Sequence, residues 1–332
     1  MRTRIERWVQ AGDGTRLYAR ETRGPDARGV PMVCANGIGV GTFFWCYVEE
    51  RYSPERPVIA FDYRGHGRSE FPRDLDDLSV ESCAEDLLRV LDSFGYERAI
   101  LLGHSMGCQT IYTAAHLAPE RVAGLVPMLG TFGRPVHTFL DRETLSLASF
   151  IVSHKVGLAV PDRIGELKAR LIQSSRGRRF VSWLARRAGL CHPTLMPEKD
   201  LDAYLDHFAA LSPVVFLRLA EKMAFHTAEP WLPRITAPTL VVAGELDIFT
   251  PLWLSEEAAD KLQNAKLLVL RDASHAALVE YPERIAAELD RFLDEFRLAA
   301  LPLERRGGNG AGPAPRREPS PSSEGQVEPA LA

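Results

Sequence analysis

The sequence predicts an α/β fold, with a mostly parallel β-sheet, helices on both faces and an inserted helical cap. Two observations lead to this prediction. Short apolar runs alternate with stretches of helical apolar spacing toward both ends of the chain, as in a parallel sheet with helical crossovers. Between these two regions the spacing is helical throughout. We therefore expect a core in two parts, residues 1–130 and 231–300, a helical cap at 131–230 and a disordered tail at 301–332.

The first part of the core carries four predicted strands and one clear helix. The strands are the apolar runs Val30–Ala35, Val58–Phe61, Ala99–Leu102 and Leu125–Leu129. Between the second and third runs, Ser82–Phe94 has apolar residues at helical spacing, and Ser82 with Glu85 fits a capping box. Right-handed crossovers then bring the carboxyl ends of the strands to one edge of the sheet.

The cap and the second part of the core follow from the same patterns. The cap helices are predicted at Leu145–Gly157, Ile164–Ile172, Leu201–Leu211 and Val214–Phe225. The elements predicted next are a strand at Thr239–Ala243, a helix at Leu252–Leu262 and a strand at Lys266–Leu270. A last helix has one apolar face, formed by Ile285, Leu289, Phe292, Leu293 and Phe296. From Leu301 onward Gly, Pro, Ser and charged residues predominate, so this segment buries too little apolar surface to become ordered.

Composition and charge argue against several classes of protein. The chain has 332 residues, 45% of them hydrophobic and 25% charged, as expected for a soluble globular protein. Its formal net charge of -4 leaves no basic footprint for nucleic acid. The N-terminus lacks the apolar region of a signal peptide, and the longest apolar stretch, Leu145–Val160, is too short and too polar to span a bilayer. Five cysteines without CxxC spacing indicate reduced residues in a cytoplasmic protein, with a disulfide framework as the alternative.

The sequence Gly103-His104-Ser105-Met106-Gly107 contains the candidate nucleophile. It follows the predicted strand Ala99–Leu102 directly, and a helical stretch, Cys108–Ala118, comes after it. A G-x-S-x-G motif between a strand and a helix forms a sharp turn that exposes the serine hydroxyl at a helix N-terminus. We therefore expect Ser105 to be a nucleophile; an ordinary strand-to-helix turn is the alternative.

His275 is the best candidate for the base that such a serine needs. It lies in Asp272-Ala273-Ser274-His275, between the last predicted strand and the last helix, at the same sheet edge as the serine. A solvated loop histidine is the alternative. His207 and His226 lie in amphipathic stretches of the cap, where packing or surface roles are typical.

Asp247 is the candidate for the carboxylate that orients the base and stabilises the imidazolium. It follows the predicted strand Thr239–Ala243 in the loop Gly244-Glu245-Leu246-Asp247. Glu245 is the competing carboxylate in the same loop. We expect Asp247 because it lies farther past the end of the strand.

An acyl-transfer site also needs hydrogen-bond donors for the oxyanion. The backbone N–H of Met106, next after the serine, supplies one donor. The second is expected from the N–H of Ile38, in the loop Asn36–Gly39 that follows a predicted strand; a plain turn is the alternative there. These motifs call for no cofactor and no metal ion.

These motifs resemble the α/β-hydrolase superfamily over roughly residues 8–298, as a serine-triad, esterase- or lipase-like member with a helical cap. The segments that carry the resemblance are Asn36–Gly39, Asp62–Ser69, Gly103–Gly107, Gly244–Asp247 with Pro251, and Ser274–Ala277. The order Ser105, Asp247, His275 is the order of the triad in that family. The resemblance also implies that Asp62–Ser69 is a structural turn, with His66 as scaffold. One departure is Asn36-Gly37, where the family usually has His-Gly.

The serine narrows the chemistry that the resemblance implies. Related haloalkane dehalogenases and epoxide hydrolases carry Asp at this turn, so those activities are not expected. Hydrolysis of esters, thioesters, lactones or amides, C–C hydrolysis of diketones and perhydrolysis remain. A non-catalytic ligand binder on the same fold is the alternative of a different class, and turnover of a generic p-nitrophenyl ester separates the two.

The cap favours a hydrophobic acyl or aromatic substrate, because its composition supplies an apolar lining. The candidate lining residues are Phe139, Leu145, Phe150, Phe180, Trp183, Phe208, Phe216 and Met223. For any single one of them, packing of the cap helices on one another is the alternative. The basic segment Arg176, Arg178 and Arg179 is interpreted as a solvated face of the cap rather than a clamp for a substrate carboxylate. We therefore predict hydrolysis of apolar carboxylic esters.

Overall fold

A single eight-stranded sheet forms the centre of the protein in the computed structural model, which describes residues 2–133, 135, 154, 155 and 157–306. Its strands are β1 (Thr3–Gln10), β2 (Arg16–Arg23), β3 (Met32–Ala35), β4 (Val58–Phe61), β5 (Ala99–His104), β6 (Val122–Met128), β7 (Thr239–Gly244) and β8 (Ala265–Leu270). They are ordered β1-β2-β4-β3-β5-β6-β7-β8. Among these eight strands, only β1 with β2 and β2 with β4 pair antiparallel, so the prediction of a mostly parallel sheet is confirmed.

The hairpin of β1 and β2 is the part of the sheet that the sequence patterns do not predict. β1 lies at the edge of the sheet, and Val9 is its one buried residue. Charged side chains of an edge strand can stay in water, so no apolar run marks the element. The central strands β3, β4, β5, β6 and β7 are buried along their whole length and are therefore visible as apolar runs.

Helices cover both faces of the sheet. One face packs against α2 (Val80–Ser93), α3 (Met106–Leu117) and α8 (Leu252–Lys261), and the other against α1 (Cys46–Tyr52), α9 (Ala277–Glu280) and α10 (Pro282–Glu295). Helix α2 begins earlier than predicted, because the Ser79 hydroxyl accepts a hydrogen bond from the Ser82 N–H at 3.0 Å and caps it. The capping box predicted for Ser82 and Glu85 is therefore wrong, since both residues lie inside the helix.

Four α-helices have described bounds between β6 and β7 and are called the insertion below. They are α4 (Pro161–Gln173), α5 (Ser175–Arg187), α6 (Glu198–Ala210) and α7 (Pro213–Phe225). Three of them correspond to predicted helices, whereas α5 is additional. The helix predicted at Leu145–Gly157 falls outside the described residues, apart from residues 154, 155 and 157. In the part of the chain that the structure describes, no helix combines the length and apolar character needed to cross a bilayer.

Residues 301–306 pack against the first part of the core. The Leu301 carbonyl accepts a hydrogen bond from the Val30 N–H at 3.0 Å, and the Leu303 N–H donates to the Arg28 carbonyl at 2.7 Å. The prediction of disorder from Leu301 onward is wrong for these six residues, because their backbone groups find partners on the core. Residues 307–332 lie outside the described range.

Candidate active site

Ser105 sits at the turn between β5 and α3, at the carboxyl edge of the sheet. Its backbone has φ 55° and ψ -119°, a conformation that lifts the side chain out of the turn. The two glycines of the motif allow this turn to pack closely. A Cβ on Gly103 would lie 2.4 Å from the Gly107 carbonyl oxygen, and one on Gly107 would lie 2.2 Å from the Ala35 carbonyl oxygen. Strand, turn and helix are therefore packed backbone to backbone, which fixes the position of Ser105.

The structure brings Ser105, His275 and Asp247 together. The His275 Nε2 atom lies 2.9 Å from the Ser105 Oγ atom, and the His275 Nδ1 atom lies 2.8 Å from the Asp247 Oδ2 atom. A carboxylate at Nδ1 requires a proton on that nitrogen, so Nε2 is left as an acceptor for the serine hydroxyl. The geometry therefore suits transfer of the serine proton to His275.

Asp247 is buried in its loop and held by several donors. Its Oδ1 accepts hydrogen bonds from the backbone N–H groups of Phe249 and Thr250, at 2.9 and 3.0 Å, and its Oδ2 accepts from the Thr250 hydroxyl at 2.7 Å. Burial opposes ionisation, but the charge and hydrogen bond of His275 and the bonds from Thr250 outweigh it, so the pKa of Asp247 lies below its ordinary value. Asp247 is thus held as a carboxylate beside His275.

Glu245, the competing carboxylate, points elsewhere. It is exposed, and its Oε2 accepts a hydrogen bond from the Asp272 N–H at 3.3 Å. Glu245 therefore joins two loops at the surface, whereas Asp247 contacts the histidine.

The loop Asn36–Gly39 lies directly against the serine. A Cβ built on Gly37 would be 3.0 Å from the Ser105 Cβ. The Ile38 N–H has no hydrogen-bond acceptor among the described residues. Met106 is the first residue of α3, where a helix leaves its N–H groups without intrahelical partners. Both backbone donors predicted for the oxyanion thus border the nucleophile and are available.

Asn36 anchors this loop at the position where the family usually has histidine. Its Nδ2 donates to the Phe61 carbonyl at 2.6 Å, and its Oδ1 accepts from the Trp45 Nε1–H at 2.7 Å. Both ends of the buried amide are therefore used, so the loop keeps a side-chain anchor of a different kind.

His66 connects the turn after β4 to the same loop, a role that its scaffold interpretation did not specify. Its Nδ1 lies 3.1 Å from the Arg64 carbonyl, and its Nε2 accepts a hydrogen bond from the Gly39 N–H at 3.2 Å. Burial lowers the pKa of His66 to about 4, so the ring is neutral and can accept this bond. Because the Gly39 N–H is held by His66, the neighbouring Ile38 N–H is kept in a fixed orientation.

His104 is a second residue whose contribution the motif alone does not reveal. Its Nε2 lies 2.9 Å from the His275 carbonyl oxygen, and its ring centroid is 5.0 Å from that of His275. Burial, with a smaller contribution from nearby His275, lowers the pKa of His104 to about 3. The neutral ring therefore donates to the His275 backbone and fixes the base from the residue next to the nucleophile.

The insertion reaches the loop beside the nucleophile through α6 and α7. A Cβ on Gly39 would lie 3.4 Å from the Phe216 ring and 3.7 Å from the Phe208 ring. His207, interpreted from sequence as a packing or surface residue, packs here with its ring centroid 5.4 Å from that of Phe43. Two proposed lining residues, Phe180 and Trp183, are instead exposed.

The other candidates lie away from this contact or outside the described residues. Met223 packs against the core, and its carbonyl accepts a hydrogen bond from the Gln109 Nε2 at 3.2 Å. His226 also contacts α3, through Gln109 and Thr113. Phe139, Leu145 and Phe150 fall outside the described residues. No group of three His, Cys, Asp or Glu residues within the described ranges is arranged as a metal site.

Known proteins resemble this chain over a region that contains Ser105, Asp247 and His275. The profile of the Alpha/beta hydrolase family matches residues 32–288. Epoxide hydrolase B of Mycobacterium tuberculosis is 32% identical over 344 residues, covering 85% of this chain and 95% of that protein. A protein of Pseudomonas savastanoi that carries the name carbamate hydrolase RutD is 27% identical over 265 residues, covering 79% and 93%. An esterase from Exiguobacterium antarcticum has a similar structure, with a TM-score of 0.69 at 18% identity, covering 87% of this chain and all (100%) of that one.

Proposed function

Because the chain belongs to the alpha/beta hydrolase family, we propose that it is a serine hydrolase that cleaves carboxylic esters of apolar small molecules through an acyl-enzyme intermediate. The observation that carries this proposal is the hydrogen-bonded series Ser105, His275 and Asp247, with contacts of 2.9 and 2.8 Å. A serine hydroxyl is a weak nucleophile unless a base takes its proton, and this arrangement supplies that base.

In the first step, the Ser105 Oγ attacks the carbonyl carbon of the ester while its proton moves to the His275 Nε2. The imidazolium that forms is stabilised by Asp247, whose lowered pKa keeps it ionised. The carbonyl oxygen becomes an oxyanion, and the N–H groups of Met106 and Ile38 donate to it. The N-terminus of α3 adds a favourable electrostatic contribution there.

In the second step, the tetrahedral intermediate collapses and the C–O bond to the alcohol breaks. His275 returns its proton to the departing alcohol, which leaves an acyl group on Ser105. Water then attacks the acyl carbon with His275 again as base, and release of the carboxylic acid restores the serine. The balance needs only water as co-reactant.

The apolar substrate class is supported by the residues that border the loop Asn36–Gly39. Ile38 is half-buried there, and Phe208 and Phe216 approach Gly39 from the insertion, with their ring centroids 5.8 Å apart. We propose that the insertion acts as a cap over the site and that these rings contact the acyl or alcohol part of the substrate. Each methylene buried there contributes roughly 0.8 kcal/mol.

The serine also separates this proposal from epoxide opening, the activity named for one relative. A carboxylate nucleophile forms an ester with the opened epoxide, which water can hydrolyse at the acyl carbon. A serine would form an ether, which the same machinery has no carbonyl to attack. We therefore retain C–C hydrolysis of diketones, and hydrolysis of thioesters or lactones, as the reactions that compete with ester cleavage on this triad.

The experiment that tests the proposal is kcat/KM for p-nitrophenyl esters from acetate to decanoate, beside one vinylogous diketone. We expect kcat/KM to rise about fourfold per added methylene until the pocket is full, as 0.8 kcal/mol implies. A low and flat ester series with strong turnover of the diketone would instead assign the protein as a C–C hydrolase. Turnover of neither substrate would favour a non-catalytic binder.

A pair of phenylalanines in α7 provides the matched control for the role of the insertion. Phe216→Ala removes a ring beside Gly39, so the preference for long acyl chains should weaken. Phe225→Ala removes an exposed ring at the end of the same helix, so the chain-length profile should stay unchanged. Equal effects of the two substitutions would contradict the placement of the acyl pocket at Phe216.

A further inference from the structure

Helix α5 has a charge that sets it apart from the rest of the protein. Its sequence, Ser175–Arg187, contains five arginines and no Asp or Glu, although the whole chain has a formal net charge of -4. Large apolar side chains accompany the arginines, and both kinds of residue reach the surface. The helix therefore concentrates positive charge and apolar surface in one exposed element.

Two of the five arginines have structural roles. Arg178 forms ion pairs with Asp202, at 3.0 Å, and with Asp206, and thereby ties α5 to α6. The Arg186 guanidinium donates to the Pro193 carbonyl at 2.8 Å and to the Met196 carbonyl at 3.0 Å. These contacts account for two of the five positive charges, on the side of α5 that faces the rest of the insertion.

The other three arginines share the outer side of the helix with its apolar residues. This outer face consists of Arg176, Arg179, Phe180, Trp183, Leu184 and Arg187, which recur at intervals of three and four and are all exposed. Its arginines form no ion pair or side-chain hydrogen bond with any described residue. Phe180 is 54% and Trp183 59% exposed, and their ring centroids lie 6.1 Å apart. Exposed aromatic rings thus share one face with cations that have no partner among the described residues.

We propose that this outer face docks on an anionic lipid surface. Guanidinium groups bind phosphate oxygens in a bidentate way, and Trp is favoured where apolar and polar layers meet. A helix with basic residues beside Trp, Phe and Leu lies in the plane of a membrane with its apolar face in the headgroup region. The helix is 13 residues long, so it lies on the surface and does not cross it.

The apolar residues distinguish a lipid surface from an acidic protein as the partner. Charge alone fits both, but a charged peptide would leave the rings of Phe180 and Trp183 in contact with polar groups. Helix α4, which packs against α5, adds exposed Leu167 and Leu171 to the same pair of helices. A bilayer accepts apolar side chains and arginines at once, because acyl chains lie directly beneath its phosphates. Docking depends only on this face and holds whether or not the proposed ester hydrolysis is correct.

Binding to vesicles tests the proposal with the full-length protein. We expect sedimentation with vesicles of phosphatidylcholine and phosphatidylglycerol, much weaker sedimentation with phosphatidylcholine alone, and release by salt. The triple variant Arg176→Gln, Arg179→Gln and Arg187→Gln should lower the partition coefficient roughly a hundredfold, since each basic residue near an anionic surface contributes about fivefold. Its unfolding transition should be unchanged, because the three side chains are exposed.

A matched triple variant on the sheet domain controls for net charge. The sheet domain is the part of the described chain outside the insertion, with the eight-stranded sheet and helices α1–α3 and α8–α10. Arg28, Arg234 and Arg271 are exposed and lie outside the four helices of the insertion, and changing them to Gln removes the same total charge. This control should bind vesicles as the wild type does. Equal loss in both triple variants would mean that binding follows overall charge, and the proposal for α5 would be wrong.

Tryptophan fluorescence locates the face that enters the lipid. Emission should shift to shorter wavelength on binding in the wild type and in Trp8→Phe, which replaces an exposed tryptophan of β1. The shift should be lost in Trp183→Phe. Wild-type protein that binds neither type of vesicle would overturn the proposal, and so would binding to poly-glutamate without binding to vesicles, which would assign the face to an acidic protein.

Discussion

The sheet domain and the insertion differ in how completely their helices are buried. Helix α3 follows the nucleophile turn and α2 packs against α3, and each of the two helices contains ten buried residues. Helices α4 and α5 of the insertion contain one each, Ile172 and Gly177. A side chain locked among buried neighbours can hold a reacting atom within fractions of an ångström, whereas a half-exposed helix cannot. The difference supports the proposal that the sheet domain carries the reacting groups and that the insertion contributes to substrate selection.

The ion pairs of the two regions differ in the same way. In the sheet domain, Arg64 is buried and contacts Asp86 at 2.8 Å and Asp77 at 2.7 Å. In the insertion, Arg178 pairs with two exposed carboxylates, Asp202 and Asp206. The ion pairs of Arg64 hold the turn after β4, and the same turn positions His66. Loss of these ion pairs should therefore also disturb the candidate site.

The substitution with the largest expected effect, Ser105→Ala, tests whether kcat can be lost while the melting temperature is kept. Ser105→Ala should lower kcat by several orders of magnitude, because the nucleophile is gone and only oxyanion stabilisation and binding remain. The melting temperature should stay close to that of the wild type. Ser175→Ala in α5 is the control in the insertion and should change neither quantity. A fluorophosphonate should label the wild type and Ser175→Ala but not Ser105→Ala; a Ser105→Ala protein with a tenth of the wild-type activity would refute the nucleophile.

The next effect distinguishes the two carboxylates of one loop. Asp247→Asn should lower kcat about 10⁴-fold, because an amide cannot hold the same tautomer of His275 or stabilise the imidazolium. Glu245→Gln changes an exposed group that bonds only to the Asp272 N–H in the described structure, so its activity should be nearly that of the wild type. Steady-state rates on a p-nitrophenyl ester measure both, and a reversed order would transfer the role to Glu245.

Substitutions of Arg64 and Arg178 test the comparison between the two regions through the free energy of unfolding. Arg64→Met should lower the free energy of unfolding by about 3–5 kcal/mol, because it leaves buried carboxylates without their partner. Arg178→Met, the matched change in the insertion, should cost less than about 1 kcal/mol, since its partners are solvated. Urea unfolding curves give both values. Equal losses would mean that the insertion is as tightly held as the sheet domain.

Acid should destabilise the protein through its buried histidines. Burial lowers the pKa of His66 to about 4 and that of His104 to about 3, so the folded rings stay neutral where the unfolded ones take up a proton. The free energy of unfolding should therefore fall as the pH drops from about 6.5 toward 4, by roughly 1.4 kcal/mol per pH unit for each histidine.

A variant isolates His66 from groups that titrate with the opposite sign. Burial raises the pKa of Asp86 to about 6, so protonation of that carboxyl favours the folded state in the same range. His66→Asn should make the fall in stability below pH 6.5 shallower by about one proton, and it should lower kcat by loosening Gly39. An unchanged pH dependence of the unfolding free energy would show that His66 is not the group responsible.

The smallest effect concerns the end of the chain. A protein ending at Arg306 should keep the melting temperature and activity of the full chain, because composition predicts no packing for the segment beyond it. A protein ending at Ala300 should melt lower, since it loses the hydrogen bonds of Leu301 and Leu303 to the first part of the core. Thermal unfolding of the two proteins compares them, and equal melting temperatures would show that residues 301–306 contribute nothing.

The accuracy of the sequence predictions follows the same division between regions. Buried strands such as β4 and β7 are marked by apolar runs, and helices such as α7 by their period, so local patterns locate them to within a few residues. The sequence patterns did not predict the edge strand β1 or the exposed helix α5, because most of their side chains contact water and not a core. A pattern of burial cannot predict an element that is barely buried.

The sequence by itself determined the fold class, the succession of strands from β3 to β8 and the candidates Ser105, Asp247 and His275, because a strand–turn–helix motif and loops after strands are local features. Only the tertiary structure decided which groups meet. Ser105 and His275 are 170 residues apart in the chain, and the bond between their side chains exists because two strand ends share one edge of the sheet. The same holds for the support that His66 gives to Gly39 and His104 gives to His275. Such contacts depend on the packing of distant segments, which no local spacing encodes.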